Sequence, residues 1–317
     1  MRAAIALLVL SLLSVAAAAN AGEGFSLKDQ AGDHMDIVYD GKIIARYMYA
    51  HDTSSAKRRA ETFKPYLHIY DEEGKAPITK GPGGLWTHHR GIFVGWRATA
   101  DGKKVNRWEM EGGDQVHVKF LEQKADEKSA TITSLVEYQG ENSDPKPFLT
   151  EERTMTFLAP TAPAYCVVDV SSKVTAQAGT VELGGDSEHG GMQYRPSDSV
   201  REGTTYIFPK ENADPHKDKD YPWVGETYKL GDKHYSVIDL NSPKNPKNTP
   251  FSAYRNYGRF GGFFKGTLTK GGELTINCRF IIAAGDMPPA EFIQKAYNQF
   301  AGTSDPVPKT TVRPADK

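Results

Sequence analysis

The chain has 317 residues, 39 basic against 40 acidic side chains for a formal charge of −1, and 10% aromatic residues. Such an even balance excludes a strong pull toward nucleic acid or anionic lipid, and neither is expected as a partner. The length suits one large domain or two modest ones.

The first residues look like an export signal. Arg2 supplies a short positive start, Ala3 to Ala18 an apolar run, and Ala19-Asn20-Ala21 a small-x-small cleavage site before Gly22. The run is shorter than the ~20 residues of a spanning helix. No later stretch is apolar enough to cross a bilayer. The expectation is therefore a signal peptide at 1–21 and a periplasmic or secreted protein, with no membrane contact after cleavage. A single domain is expected over 22–301, and the polar, proline-bearing stretch 302–317 reads as a flexible tail.

From there the dominant period is two. Segments 34–40, 42–49, 65–70, 91–96, 115–123, 130–138, 150–158, 164–174, 204–209, 235–240 and 273–282 are short and rich in β-branched or aromatic residues. Gly, Pro, Asn or Asp bound each of them. In the last, Leu274, Ile276, Cys278, Phe280 and Ile282 share one face while Thr275, Asn277 and Arg279 take the other, as in a half-buried antiparallel strand. So many strands without intervening helices predict an all-β fold, a large antiparallel β-sandwich. A mutarotase-like supersandwich is one form of it, by fold-level analogy.

One helix is predicted, over 288–300. Pro288 and Pro289 open it, Glu291 lies in its first turn, and Phe292, Ala296 and Phe300 form a stripe. It is expected to dock on the sandwich. Cys166 and Cys278 both fall on apolar strand faces. Export permits a disulfide, but two buried free thiols is the plainer expectation, since sequence does not say whether the strands are neighbours.

The chemistry concentrates in a few segments. GGLWTHHRGIFVGW, 83–96, places His88, His89 and Arg90 between Trp86 and Trp96. On a regular strand the two histidines would face opposite ways, but Gly83, Gly84 and Gly91 favour a loop leading into a strand. One histidine would then act as general base or acid, with Arg90 holding a carboxylate or oxyanion. WEMEGG, 108–113, adds Trp108, Glu109 and Glu111. On a strand the two glutamates would share a face, and their repulsion would let one keep its proton as an acid.

Glu188 and His189 lie between glycines and suggest a carboxylate-oriented imidazole, with Arg195 following. In 242–264, Asn245, Asn248, Arg255, Tyr257 and Arg259 stand among aromatics, and Arg255 and Tyr257 are the best placed to read sugar hydroxyls. Each segment also has a bland account: strand-edge histidines, a solvated acidic edge, a mobile acidic turn, loop-shaping residues. His117 reads as an ordinary polar-face histidine. No HxH, HExxH or paired-cysteine spacing occurs, so no metal ligand and no cofactor is assigned, with a catalytic metal kept as a minor alternative. No GxSxG marks a serine nucleophile.

In order along the chain, PYLHIYDEEGKAPITKGP, GLWTHHRGIFVGW, WEMEGG, EHGGMQYR and SPKNPKNTPFSAYRNYGRFGGFF resemble the PmoA-like family of exported bacterial proteins, often labelled methane oxygenase PmoA. The resemblance spans roughly residues 40 to 300. Members often carry further Asp, His and Pro before the histidine pair, where this chain has Gly83 to Thr87. The label is not an activity, because a methane oxygenase subunit needs several membrane helices. What the resemblance implies is an exported β-sandwich working on polysaccharide breakdown products.

Three functions stay open. The leading one is a carbohydrate-active enzyme (hydrolase, lyase or epimerase) acting on a sugar or oligosaccharide substrate. In it His88 or His89 works with Glu109 or Glu111 and with Glu188-His189, Arg90, Arg195 and Arg255 hold the substrate, and Trp86, Trp96 or Trp108 stacks on the ring. The second is a non-catalytic periplasmic glycan-binding protein, and the third a metal-dependent oxygenase.

Overall fold

A computed structural model describes residues 24–142, 144, 146–184 and 188–316, so the signal expected at 1–21 lies outside the described residues. The chain opens with three antiparallel strands, β1 (Phe25–Gln30), β2 (His34–Tyr39) and β3 (Lys42–Met48). A short helix α1 (Ala56–Thr62) follows, then β4 (Tyr66–Ile69), β5 (Gly91–Ala100) and β6 (Lys103–Asn106). Four long strands come next: β7 (Gln115–Ala125), β8 (Ser129–Gln139), β9 (Pro147–Leu158) and β10 (Ala164–Ala176). The remainder comprises β11 (Thr180–Leu183), β12 (Gly190–Arg195), β13 (Thr205–Phe208), β14 (Trp223–Leu230), β15 (Lys233–Asn241), β16 (Gly266–Thr269), β17 (Glu273–Ala284), α2 (Ala290–Ala301) and β18 (Thr311–Pro314).

Among the described residues these form two nine-stranded sheets. The first runs β1-β2-β3-β4-β5-β11-β16, and β5 is its hub: β4 and β12 flank its first half, β6 and β11 its second. The second runs β18-β13-β14-β15-β17-β10-β9-β8-β7. The architecture is the antiparallel β-sandwich that the alternation predicts. Strands missed by that alternation are the short or irregular ones. β12 begins with two glycines, and β14 carries buried Gly225 and Glu226 where apolar residues are expected. The tail is a correction: β18 pairs with β13 from Thr311 opposite Phe208 to Pro314 opposite Thr205, so that part of it is an ordered strand.

The main core lies between the sheets. In β10, Ala164, Cys166, Val168, Val170, Ser172, Val174 and Ala176 are buried in strict alternation. Each large apolar side chain removed from water there contributes about 1.5–3 kcal/mol. Cys166 lies opposite Ile282 and Cys278 opposite Val170, four positions apart along the β10–β17 pair. That separation is roughly 13 Å, beyond disulfide reach, and both thiols are free and buried. Some buried polar groups here are partnered, whereas Ser172 Oγ and the carboxylate oxygens of Glu226 and Asp239 have no hydrogen-bond partner among the described residues. Arg153 forks onto Glu151 at 3.0 and 2.7 Å and donates to the Pro65 carbonyl at 2.9 Å, while Tyr138 donates to Glu151 at 2.8 Å.

The two outer faces differ. On the second sheet, α2 covers Trp223, Ile238, Leu240 and Ile281. Its buried residues are Ile293, Gln294 and Tyr297, so the helix is turned by about one residue from the expected stripe, leaving Phe292, Ala296 and Phe300 only partly covered. On the first sheet, Leu67, Ile69, Ile92 and Val94 point into the core. The alternate residues Tyr66, His68 and Phe93 therefore face outward, and loops cover them.

Candidate active site on the outer face of the first sheet

Arg90 organises the histidine segment without offering itself to a ligand. It is fully buried, donates to the Thr87 and Glu61 carbonyls at 2.9 and 2.8 Å and to that of Ala60, and lies 4.1 Å from the Phe63 ring centre. The guanidinium thus ties the last turn of α1 to the loop. The expected role of holding a substrate carboxylate is corrected accordingly. Gly91, at φ +47°, lets β5 start hard against β4, since a Cβ there would lie 2.1 Å from the Leu67 carbonyl oxygen. Ahead of this clamp the loop displays Trp86, which is 50% exposed and held at φ +52°. A bulky residue in that region carries strain of the kind found at functional sites.

His89 is 3% exposed. Its ring centre lies 4.3 Å from that of His88, 5.7 Å from both Phe93 and Trp108, and 6.3 Å from Tyr257. Among the described residues neither of its ring nitrogens has a hydrogen-bond partner, nor does Nε1 of the fully buried Trp108. Lys64 braces the cluster from below, donating to the carbonyls of His88 and Trp108 at 3.1 Å each, with its Nζ 4.6 Å from the Phe93 ring centre. Burial, then repulsion from the neighbouring Lys64, Arg259 and Arg97, pushes His88 down to about 3. Burial, then Arg259 and His88, hold His89 well below the usual histidine range. Both imidazoles are neutral near pH 7, each with one donor and one acceptor nitrogen.

Among the described residues, Glu109 rather than the adjacent Glu188 approaches His189. His189 Nε2 lies 3.7 Å from Glu109 Oε1, and its ring stands edge-on to Trp108 at 6.0 Å. Glu109 in turn accepts from Arg97, through Nε at 3.0 Å and through Nη2. Glu188 turns instead to the Tyr254 hydroxyl at 2.9 Å and to Arg255. Burial raises its pKa, but those two partners outweigh it and leave the carboxyl below its ordinary value.

Other expected residues fall outside the cluster. Glu109 and Glu111 sit in a turn, with Met110 at φ +64°, and do not share a strand face. Exposed Glu111 accepts from Asn106 at 2.9 Å. Trp96 points into the main core and donates to the Phe264 carbonyl at 2.8 Å. Arg195 is fully buried, bonded to Asp198 at 3.1 Å, to the Pro196 carbonyl at 3.0 Å and to that of Tyr257. It lies 4.9 Å from the Tyr257 ring centre, so it positions that tyrosine beside His89. Arg255, paired with Glu188, lines a cavity of about 200 Å³ with Tyr254 and Tyr257.

Lys64, Phe93 and Arg97 belong to the site but do not stand out in the sequence, and Arg259, named in the 242–264 segment, joins them. Arg259 is buried 5.8 Å from the Trp108 ring centre and donates to the Glu188 carbonyl at 3.2 Å and to Ser252 at 3.0 Å. Parity along β5 could have found Phe93 and Arg97, which alternate with the core-facing Ile92, Val94 and Trp96. Nothing local marks Lys64. Among the described residues no group of three or more His, Cys, Asp or Glu side chains is placed to hold a metal ion. No described helix is long and apolar enough to cross a membrane.

Among solved structures the chain is similar to the Slr1438 protein from Synechocystis sp. PCC 6803, at 7% identity and a TM-score of 0.42, covering 82% of this chain and 95% of that one. It is also similar to an α-galactosidase from Lactobacillus brevis, at 8% identity and TM-score 0.41, covering 87% of this chain and 40% of that one. A kojibiose phosphorylase described as putative, from the human microbiome, follows at 9% identity and TM-score 0.37, with 82% and 32% covered. The chain thus spans less than half of the last two, and none of these distant likenesses transfers a function. No curated protein matches. The resemblance to the PmoA-like family is overturned by the family comparison. Residues 34–298 match a different group, and the chain belongs to DUF6807, a family of unknown function.

Proposed function

We propose that the chain is a carbohydrate-active enzyme whose site is the cluster of His88, His89, Trp108, His189 and Glu109. One observation carries this. Among the described residues the two nitrogens of His89 and the indole N–H of Trp108 are buried and unpartnered, although buried polar groups are nearly always bonded. Uncharged donors and acceptors set among aromatic rings suit ligand hydroxyls, and exposed Trp86 offers a flat face to a sugar ring. His189, whose Nε2 lies 3.7 Å from Glu109, supplies an imidazole for proton transfer. Arg97 and Arg255 around it are already paired with Glu109 and Glu188, so with Arg259 they suit a hydroxyl-rich substrate better than an anionic one. Hydrolysis, elimination and epimerisation each include a proton transfer of this kind. Export to the periplasm or beyond, expected from residues 1–21, is part of the same proposal.

A second reading is a non-catalytic glycan-capture protein. It is favoured by the low basicity of His88, at about 3, which makes that imidazole a poor base in the free protein. A glycan panel incubated with residues 22–317, analysed by mass spectrometry for bound and converted species and by NMR for mass-neutral epimerisation, separates the two. Product that disappears in His189→Ala supports the enzyme. Binding without product, weakened but not abolished in that variant, supports capture.

A further inference from the structure

We propose that a second site, for a neutral sugar unit, lies beside the first on the same sheet face, in the cavity between α1 and strands β3 and β4. The cavity holds about 390 Å³ and is lined by Arg46, Arg58, Lys64, Tyr66, His68 and Tyr70, among others. Its volume is within the range of about 300–1,000 Å³ typical of small-molecule sites.

The lining charges are already matched. Arg46 forks onto Asp36 at 2.6 and 3.0 Å and lies 5.5 Å from the Tyr70 ring centre. Arg58 bonds to Asp52 at 2.9 Å and Glu61 at 2.6 Å, and Lys64 is spent on the His88 and Trp108 carbonyls. Asp33 meets His34 at 2.8 Å. An anion would gain little from cations so engaged, and a cation would gain little from the carboxylates. A neutral ligand is what remains.

The uncharged groups are arranged for hydroxyls. Ile69 N–H donates to Thr79 Oγ1 at 3.1 Å, Thr79 Oγ1 lies 2.9 Å from His68 Nδ1, and His68 Nε2 lies 3.2 Å from the Tyr66 hydroxyl. Burial, then Arg46 and Arg90, push His68 down to about 4, so the ring is neutral. If His68 donates from Nε2, the Tyr66 proton is left for the cavity. If Tyr66 donates to Nε2, a lone pair is left. Either way this buried chain ends in a hydroxyl that can serve a sugar hydroxyl, with the flat ring of Tyr70 alongside. Lys64 is the wall common to both sites, so one oligosaccharide can occupy them with neighbouring units, a step that rests on the sugar reading of the first site.

The nine histidines allow the two sites to be followed separately by imidazole NMR of residues 22–317. The probes are glucose, galactose, xylose and arabinose, each alone, and glucuronate as the anionic control. The expected result is a saturable shift of the His68 signals with at least one neutral sugar. That shift should vanish in Gly81→Leu, because a Cβ at Gly81 meets His68 Nε2 at 3.5 Å and the Tyr66 hydroxyl at 3.7 Å, ordinary contacts from which a longer side chain fills the cavity. Should that variant not fold, Arg58→Ala on the exposed rim should weaken the His68 response severalfold. Silence of His68 with every neutral sugar, or a response to glucuronate alone, overturns the second site. His88 and His89 signals report the first site independently: their response with a silent His68 keeps the proposed function and removes this inference, and the reverse keeps this site and removes the first.

Discussion

Each outer sheet face buries a tryptophan, and the two are treated differently. Trp223, on the second sheet under α2, donates its Nε1–H to Gln294 at 3.0 Å among Ile238, Leu240 and Ile281. Trp108, on the first, is just as buried, yet its Nε1–H has no partner among the described residues and its neighbours are His88, His89, His189, Lys64 and Arg259. A face that serves stability alone satisfies its polar groups, because each buried orphan costs about 1–3 kcal/mol. Ser172, Glu226 and Asp239 of the second sheet also carry buried atoms without a partner among the described residues, but those of His89 and Trp108 lie beside a strained exposed tryptophan, which marks where a ligand would complete the structure.

The contrast can be broken by substitution. Trp223→Ala should lower stability by roughly 3–5 kcal/mol through cavity formation, measured by denaturant unfolding, and should leave glycan affinity intact in the folded fraction. Lost affinity at unchanged fold would mean the second face also serves the site. Next in size, Arg90→Lys should destabilise by about 1–3 kcal/mol for each carbonyl left unmet, since one ammonium cannot replace the fork on Thr87, Glu61 and Ala60. A variant of wild-type stability but impaired binding would return Arg90 to substrate contact.

Acidification sharpens the comparison. The unfolded chain takes up histidine protons near pH 6.5, whereas burial keeps His68 and His117 neutral down to about 4 and His88 down to about 3. The unfolded state therefore binds more protons across that window, so stability is full above about 6.5 and is lost as pH falls toward 3. His88→Asn should flatten that loss in urea titrations at stepped pH, and an unchanged slope would place His88 in water. The smallest effect is expected for His89→Phe, which keeps the ring but removes the orphaned nitrogens. Stability should stay within about 1 kcal/mol or rise, while glycan turnover or binding is lost. A large destabilisation would show that the nitrogens serve the fold.

Segments such as 164–174 and 273–282 needed only their alternation to be placed, because each strand's inward and outward residues are set by its own pleat. The histidine loop was likewise legible from its glycines and aromatics. The glutamates were not. Glu109 and Glu111 carry alternating-strand spacing but lie in a turn, and Glu188 is adjacent to His189 while bonding to Tyr254 and Arg255. Arg90, Trp96 and Arg195 have the residue types of a sugar site, yet they fill a helix clamp, the core and a brace under Tyr257.

The sequence by itself determined the β class, most strands, the docking helix and the neighbourhood of His88 and His89, since these depend on periodicity and on residues close in the chain. Only the tertiary structure decided which side chains meet. β12 returns beside β5, which brings His189 to Glu109 and Arg97, and the loop before β16 brings Tyr257 and Arg259 to His89 and Trp108. Those encounters are set by strand order across the sheet, a long-range choice that no local pattern encodes.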